Sequence, residues 1–304
     1  MNKVTTIDLG SNSFRVLIYD CLNHKIINEY NEVVGMADGL NETGNISIEA
    51  QERVVDAITR SSKSLEYDPK SAVCVTTAAM RLASNSNDVL KYFEKTTGAR
   101  FKIIDGKEEA RLTLLAVKYA LKREKIDSSK FILLDIGGGS TEIILNEGDN
   151  FNSKSFNFGI VTLTQKYLTS NKLIEELDNW KKEINLFLDE LNIDLKDFTF
   201  VATAGTPTTI AAIKLGQDFF HYDKDEVNGT IVNLKDLDES LEMFKNSNNE
   251  TITKLVGRGR VEFIEVGIYI YKAIFEVLEK NESIVLDDGL REGVAIDYCL
   301  NKSI

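Results

Sequence analysis

The chain has 304 residues, 43% of them hydrophobic and 28% charged, with a formal net charge of -12; this exceeds what one core usually holds, predicts two domains and excludes a disordered chain. The negative charge argues against nucleic acid or an anionic membrane as partner, while leaving room for an anionic substrate in a cleft of locally reversed sign. No run of about 18 apolar residues and no secretory leader follow Met1, so a cytoplasmic protein is expected; Cys21, Cys74 and Cys299 suggest neither a disulfide framework nor a zinc site, and His24 and His221 are too few for a histidine metal centre.

Along the chain, apolar alternation predicts strands over residues 4–9 and 14–19, joined by a glycine turn, and a third strand near 26–34. A helix is expected over 48–65 behind Ser47 as N-cap, with Ile48, Val54, Val55, Ile58 and Leu65 on one face. A strand near 72–75, a helix near 88–96, a strand over 101–104 and a helix over 107–122 complete the pattern. The charged run around Lys181, Lys182, Glu183, Asp189 and Glu190 reads as the solvated face of a later helix.

The pattern then restarts. Thr6-Ile7-Asp8-Leu9-Gly10-Ser11-Asn12-Ser13 matches Leu133-Leu134-Asp135-Ile136-Gly137-Gly138-Gly139-Ser140, 127 positions on, and the same spacing carries Val75-Thr76-Thr77-Ala78 onto Ala202-Thr203-Ala204-Gly205. Ile104-Asp105-Gly106 and Glu109 match Asp287-Asp288-Gly289 and Glu292 at a spacing of 183, so the second copy carries an insertion at about 214–282. The order β-β-β-α-β-α-β-α is that of a ribonuclease-H-like unit. Two such α/β units make the actin-like ATPase superfold, expected here as domains 1–124 and 125–304, with both glycine hairpins pointing into an interdomain cleft.

Glycine-rich turns let several backbone N–H groups meet one anion, so Ser11-Asn12-Ser13 and Gly137-Gly138-Gly139-Ser140-Thr141 are candidate phosphate-binding segments. Taken singly each is also an ordinary hairpin turn; the duplicated frame is what favours binding. Asp8 and Asp135 end buried strands just before the turns, where a carboxylate needs a cation or hydrogen-bond donors. Mg2+ or another divalent cation, with Glu142 as a further ligand, would satisfy them, as would turn amides alone. Glu108 and Glu109 open a helix, where acids meet the positive end of its dipole without any catalytic duty.

Ile7-Asp8-Leu9-Gly10-Ser11-Asn12-Ser13-Phe14-Arg15, Gly106-Lys107-Glu108-Glu109-Ala110-Arg111-Leu112, Asp135-Ile136-Gly137-Gly138-Gly139-Ser140-Thr141-Glu142 and Gly289-Leu290-Arg291-Glu292-Gly293 resemble the exopolyphosphatase/guanosine pentaphosphate phosphohydrolase (Ppx/GppA) family over almost the whole chain. The resemblance implies that Glu109 is the catalytic carboxylate, that Asp135 and Glu142 organise a divalent cation, and that Arg81 contacts the phosphate chain. Arg15, Arg111, Arg258, Arg260 and Arg291 could add a cationic lining. The implied reaction is attack of water on a terminal phosphate of polyphosphate or guanosine pentaphosphate, with guanosine tetraphosphate as a related ligand and a homodimer left open. Val34-Gly35-Met36 and Val227-Asn228-Gly229 depart from the family pattern, and a helical C-terminal extension is not expected. An actin-like phosphotransferase and a non-catalytic nucleotide or alarmone binder are the competing readings.

Overall fold

In the computed structural model, which describes residues 3–167 and 170–302, the start of the chain folds back on itself twice. β1 (Lys3–Leu9), β2 (Ser13–Asp20) and β3 (Lys25–Val33) form an antiparallel meander. After α1 (Leu40–Thr43) and α2 (Ile48–Leu65), β4 (Val73–Thr76) pairs parallel to β1. α3 (Ala78–Leu82) and α4 (Ser86–Thr97) lead to β5 (Phe101–Ile103), parallel to β4, and α5 (Gly106–Arg123) follows. The sheet order is β3-β2-β1-β4-β5. Because β1, β4 and β5 run the same way, their C-terminal ends share one edge.

Local chemistry accounts for the helix boundaries. Ser47 Oγ accepts from Ala50 N at 3.1 Å and starts α2 where the sequence places it. The buried stripe is Ala50, Val54, Ala57, Ile58 and Ser61, whereas Ile48 is 69% exposed. Ile48 stands six residues before Val54, two-thirds of a turn off that stripe, so its expected place on the apolar face is corrected.

The second sheet repeats the plan with an addition. β6 (Lys130–Ile136), β7 (Thr141–Glu147) and β8 (Asn150–Phe156) form the meander, followed by α6 (Ile160–Lys166), α7 (Ser170–Leu191), β9 (Thr199–Thr203) and α8 (Gly205–Lys214). α9 (Lys224–Val227), β10 (Thr230–Asn233), α10 (Leu234–Lys245) and α11 (Asn249–Val256) have no counterpart in the first sheet. α12 (Ile264–Leu278), β11 (Glu282–Val285) and α13 (Leu290–Lys302) end the chain's elements. The order is β10-β11-β9-β6-β7-β8, so the extra segment adds β10 as an antiparallel edge strand beside β11. On α7, Leu173, Leu177, Trp180, Ile184 and Phe187 are buried, while Lys182, Glu183, Asp189 and Glu190 face outward.

The chain divides into Met1–Val117 with Asp288–Ile304 and, separately, Lys118–Asp287. This corrects the boundary expected between residues 124 and 125, and the assignment of the chain's end to the second domain. The cause is α13. Leu290 and Val294 bury against Val75, Ile104 and Leu112, and a Cβ on Gly293 would stand 1.9 Å from the Leu112 carbonyl oxygen, so α13 meets α5 with no side chain between them. Arg291, 4% exposed, donates to Glu292 Oε1 (2.7 Å), Asn31 Oδ1 (2.8 Å) and Glu29 Oε2 (2.6 Å), and its carbonyl accepts from Thr6 Oγ1. The return of α13 also joins Cys299 to Cys21 in a disulfide. The expectation of no disulfide is thereby overturned: partners 278 residues apart leave no pattern of spacing in the sequence. The remaining thiol, Cys74, is buried, which pushes it up to about 12 and removes it as a nucleophile.

Candidate active site

Each glycine hairpin lies at the edge where the parallel strands of its own sheet end, and local hydrogen bonds decide which way its peptides face. In the first, Gly10 N donates to Ser13 O at 3.0 Å, closing a turn over Ser11 and Asn12. Ala37 N donates to Ser11 O (2.8 Å), and Val34 N and Gly35 N donate to Asn12 O (2.8 and 3.0 Å). A trans peptide sets its N–H opposite its C=O, so the amides of Asn12 and Ser13 turn away from the 34–37 segment.

In the second hairpin, Gly137 N donates to Ser140 O at 2.9 Å. The start of α6 supplies the covering donors: Ile160 N to Gly137 O (3.1 Å), and Val161 N and Thr162 N to Gly138 O (2.8 and 3.3 Å). The amides of Gly138 and Gly139 accordingly face away from α6. This packing requires glycine at 159, where a Cβ would stand 2.4 Å from Gly137 O and 2.6 Å from Gly138 C. Successive N–H groups on one side of a turn form a concavity suited to an anion.

The acids divide differently between the sheets. In strand register Asp135 stands opposite Glu142 on β7 and Thr203 on β9, and Glu142 stands opposite Ser155 on β8. Ser155, Glu142, Asp135 and Thr203 thus form one polar row across four strands. Glu142 is 2% exposed and accepts from Ser155 Oγ at 2.6 Å. Two carboxylates directly opposite one another weaken a sheet unless a cation accompanies them. In the first sheet the residue opposite Asp8 is Arg15, itself opposite Asn31, so that row holds one charge of each sign. No group of three or more His, Cys, Asp or Glu able to hold a metal occurs among the described residues. The donor chemistry of Asp135 and Glu142 nonetheless fits a hard divalent ion, which takes one or two carboxylates and keeps waters for the rest.

Arg81 and Glu109, selected separately from the sequence, are brought together. Arg81 Nη1 donates to Glu109 Oε2 at 2.7 Å and to Ile104 O at 2.9 Å, with Glu109 8% exposed in the first turn of α5. Asp105 caps that helix by accepting from Glu108 N at 2.8 Å. Glu108 pairs instead with Arg111, whose hydrogen bonds hold its carboxyl below the usual range. Arg111, bound also to Asp297, is raised by both acids. Arg111 and Arg291 are both engaged with carboxylates of their own unit. Arg260 lies against the start of α8, 3.9 Å from where a Cβ on Gly205 would stand. A groove of about 360 Å³ lined by Lys91, Glu94, Arg100 and Phe101 sits at the start of β5, the opposite end of that strand from Glu109.

Thr141 differs from its neighbours. Its hydroxyl is buried with no hydrogen-bond partner among the described residues, and strand alternation puts its side chain on the face away from Glu142. Ser155 went unnoticed in the sequence; counting back across the turn at Gly148 from Glu142 would have found it. Ala204, just before α8, has φ 75° and ψ -175°, a region normally left to glycine.

The sequence profile of the Ppx/GppA phosphatase family matches residues 17–302. A guanosine-5'-triphosphate,3'-diphosphate pyrophosphatase of Aliivibrio fischeri is 30% identical over 296 residues, covering 95% of this chain and 57% of the relative. A Haemophilus influenzae protein provisionally named an exopolyphosphatase is 27% identical over 315 residues, covering 100% of this chain and 93% of its own. The chain spans about half the length, from 46% to 58%, of the curated relatives it matches in Fusobacterium, Aliivibrio, Pseudoalteromonas and Photobacterium. The crystal structure of the Aquifex aeolicus Ppx/GppA family member aligns with a TM-score of 0.77 and 28% identity over 99% of both chains. Since the profile takes in Arg81, Glu109 and the entire second hairpin, within a fold matched end to end by the Aquifex structure, the chain belongs to the Ppx/GppA phosphatase family.

Proposed function

We propose that this protein releases the terminal phosphate of a phosphoanhydride chain, either inorganic polyphosphate or the 5′-phosphate of guanosine pentaphosphate, by in-line attack of water. The observation that carries this reading is the part-buried Arg81–Glu109 pair at the sheet edge where the first hairpin turns its amides outward. The names of the Aliivibrio and Haemophilus relatives support the two substrate classes.

Each unit brings its own share of the chemistry. In the first unit the amides of Asn12 and Ser13, helped by the side chain of Ser11, bind phosphate oxygens; in the second, the amides of Gly138 and Gly139 with the side chain of Ser140 form an anion-binding turn of the same kind. Arg81 holds Glu109 in place through Nη1, and its other donors hold the terminal phosphate. Glu109 orients the attacking water and takes its proton as the water oxygen bonds to phosphorus. The bridging P–O bond breaks, and its electron pair leaves on the shortened chain. When bound, Mg2+ or another divalent cation would be held by Asp135 and Glu142 and would neutralise charge on the phosphate oxygens. Asp8 faces Arg15 in register, so this reading gives it no share of that ion. A cytoplasmic location belongs to the same proposal, and a reducing compartment would then open the Cys21–Cys299 bond in part of the population.

Phosphate release measured side by side with polyphosphates of several lengths and with guanosine pentaphosphate tests the reading. Glu109→Gln should retain substrate binding and lose at least about 99% of turnover, a barrier increase of roughly 2.7 kcal/mol. Retention of more than about a tenth of turnover would remove Glu109 from the role.

A further inference from the structure

Glu142 is placed between two very different neighbours. On β6 it meets Asp135, a like charge; on β8 it meets Ser155, whose Oγ donates to Glu142 Oε1 at 2.6 Å. A buried carboxylate facing another carboxylate relieves the repulsion by rotating away, and a rotated Glu142 no longer shares an ion with Asp135. The Ser155 hydroxyl limits that rotation to one orientation: with Oε1 held on the β8 side, the carboxylate is fixed so that its other oxygen is the one presented toward an ion on the β6 side. Strand register makes the placement firm, since Ser155 stands directly across from Glu142 on a neighbouring strand rather than on a loop.

We propose that Ser155 is a positioning residue for the divalent-cation site, setting the orientation of the Glu142 carboxylate toward the ion. The proposal rests on the cation reading of Asp135 and Glu142 given above. Ser155 touches neither substrate nor reacting atoms in this role; it acts through Glu142. Hydrogen-bond partners of metal-binding carboxylates typically govern ten- to hundredfold of the affinity.

The test is direct binding of Mn2+ to the full chain, followed by the electron paramagnetic resonance signal of the free ion, for wild type, Ser155→Ala, Ser155→Thr and Glu142→Gln. Ser155→Ala should weaken Mn2+ about ten- to hundredfold, and raise the metal concentration for half-maximal phosphate release by the same factor while leaving kcat at saturating metal close to wild type. Ser155→Thr keeps the hydroxyl and should stay within about threefold of wild type. If Ser155→Ala binds Mn2+ like wild type while Glu142→Gln does not, Ser155 has no part in the site and only the cation reading stands. If Glu142→Gln also binds like wild type, the cation reading fails and the role of Ser155 falls with it. Thermal unfolding of each variant in the presence of a chelator separates lost affinity from lost fold.

Discussion

The two glycine hairpins share one Asp-x-Gly-x-x-Ser frame and close the same kind of turn, yet one row of side chains holds charges of both signs and the other two acids. In the first, Arg15 faces Asp8; in the second, Glu142 faces Asp135. Both copies keep the carbonyl-pinned turn that directs amides outward. What differs is the side chain at one register position: a cation faces the acid in the first row, whereas a second acid faces it in the row to which the divalent cation is proposed to bind. Backbone geometry therefore supplies the part common to the two units, and the cross-strand partner supplies the chemistry that separates them.

The strongest test of this contrast neutralises one acid in each row. Glu142→Gln should lower turnover at least about a hundredfold, roughly 2.7 kcal/mol in barrier. In chelator-treated protein the same change should raise stability by about 0.2–1 kcal/mol, because a like-charged cross-strand pair is removed. Asp8→Asn should do the reverse to stability, lowering it by up to about 1 kcal/mol by taking away the charge opposite Arg15. Phosphate release and urea unfolding read both effects. Stability changes of the same sign in the two variants would break the comparison.

A second test separates the units by their covalent chemistry. The Cys21–Cys299 bond spans 278 residues and ties α13 to the meander of the first unit. Loop-closure entropy for so long a span gives about 5.6 kcal/mol as a ceiling, with roughly 3–5 kcal/mol expected on reduction or in Cys299→Ser. Trp180 is the chain's one tryptophan and lies in the second unit, so its fluorescence follows that unit alone. Reductant should advance the unfolding of the first unit, seen by circular dichroism and by proteolysis within α13, ahead of the Trp180 transition. Coincident transitions that shift together would show the two units unfolding as one.

The limits of the sequence follow the range of the interactions. α2 was legible because its N-cap, Ser47, and its buried stripe lie within a few turns, and even there only Ile48 was misplaced. The hairpins were legible because a turn is local and the repeat displayed it twice. Arg81 and Glu109 were each marked, 28 residues apart, but their ion pair depends on β4 and β5 lying side by side. The packing of α13 on the first unit, the disulfide and the Arg291 network involve separations of about 180 to 285 residues. No periodicity reaches that far; only the folded topology creates those contacts. Ser155 is a closer miss, since it is one strand away and its register follows from the turn at Gly148.

A third test compares the strand-to-helix corners that follow β4 and β9. Ala204 is held at φ 75° and ψ -175°, whereas Thr77, its match in the first copy, has φ -129°. Non-glycine residues in the Ala204 region carry about 1–3 kcal/mol of strain. Ala204→Gly should recover about 1 kcal/mol of it, net of glycine's greater freedom in the unfolded chain. Thr77→Gly relieves nothing and should cost roughly 0.5–1 kcal/mol. Chemical unfolding of the two variants checks the opposite signs, and stabilisation by both would show that the corner of the second copy is not specially strained.

The smallest effect is expected at Thr141, and it bears on which side of the second hairpin receives the substrate. The Thr141 hydroxyl is buried without a hydrogen-bond partner among the described residues, and alternation along β7 places it opposite to the row of Glu142. Valine has nearly the same shape and removes the unsatisfied group, so Thr141→Val should change stability by less than about 0.5 kcal/mol or stabilise slightly. Turnover and KM should remain within about twofold, under ~0.4 kcal/mol, because the proposed function assigns phosphate to the Gly138 and Gly139 amides and not to this hydroxyl. A collapse of turnover with stability intact would mean that the Thr141 side chain reaches substrate after all. The polar row would then be on the wrong side of the sheet for the role given to it, and the contrast with the Arg15 row would lose its functional meaning.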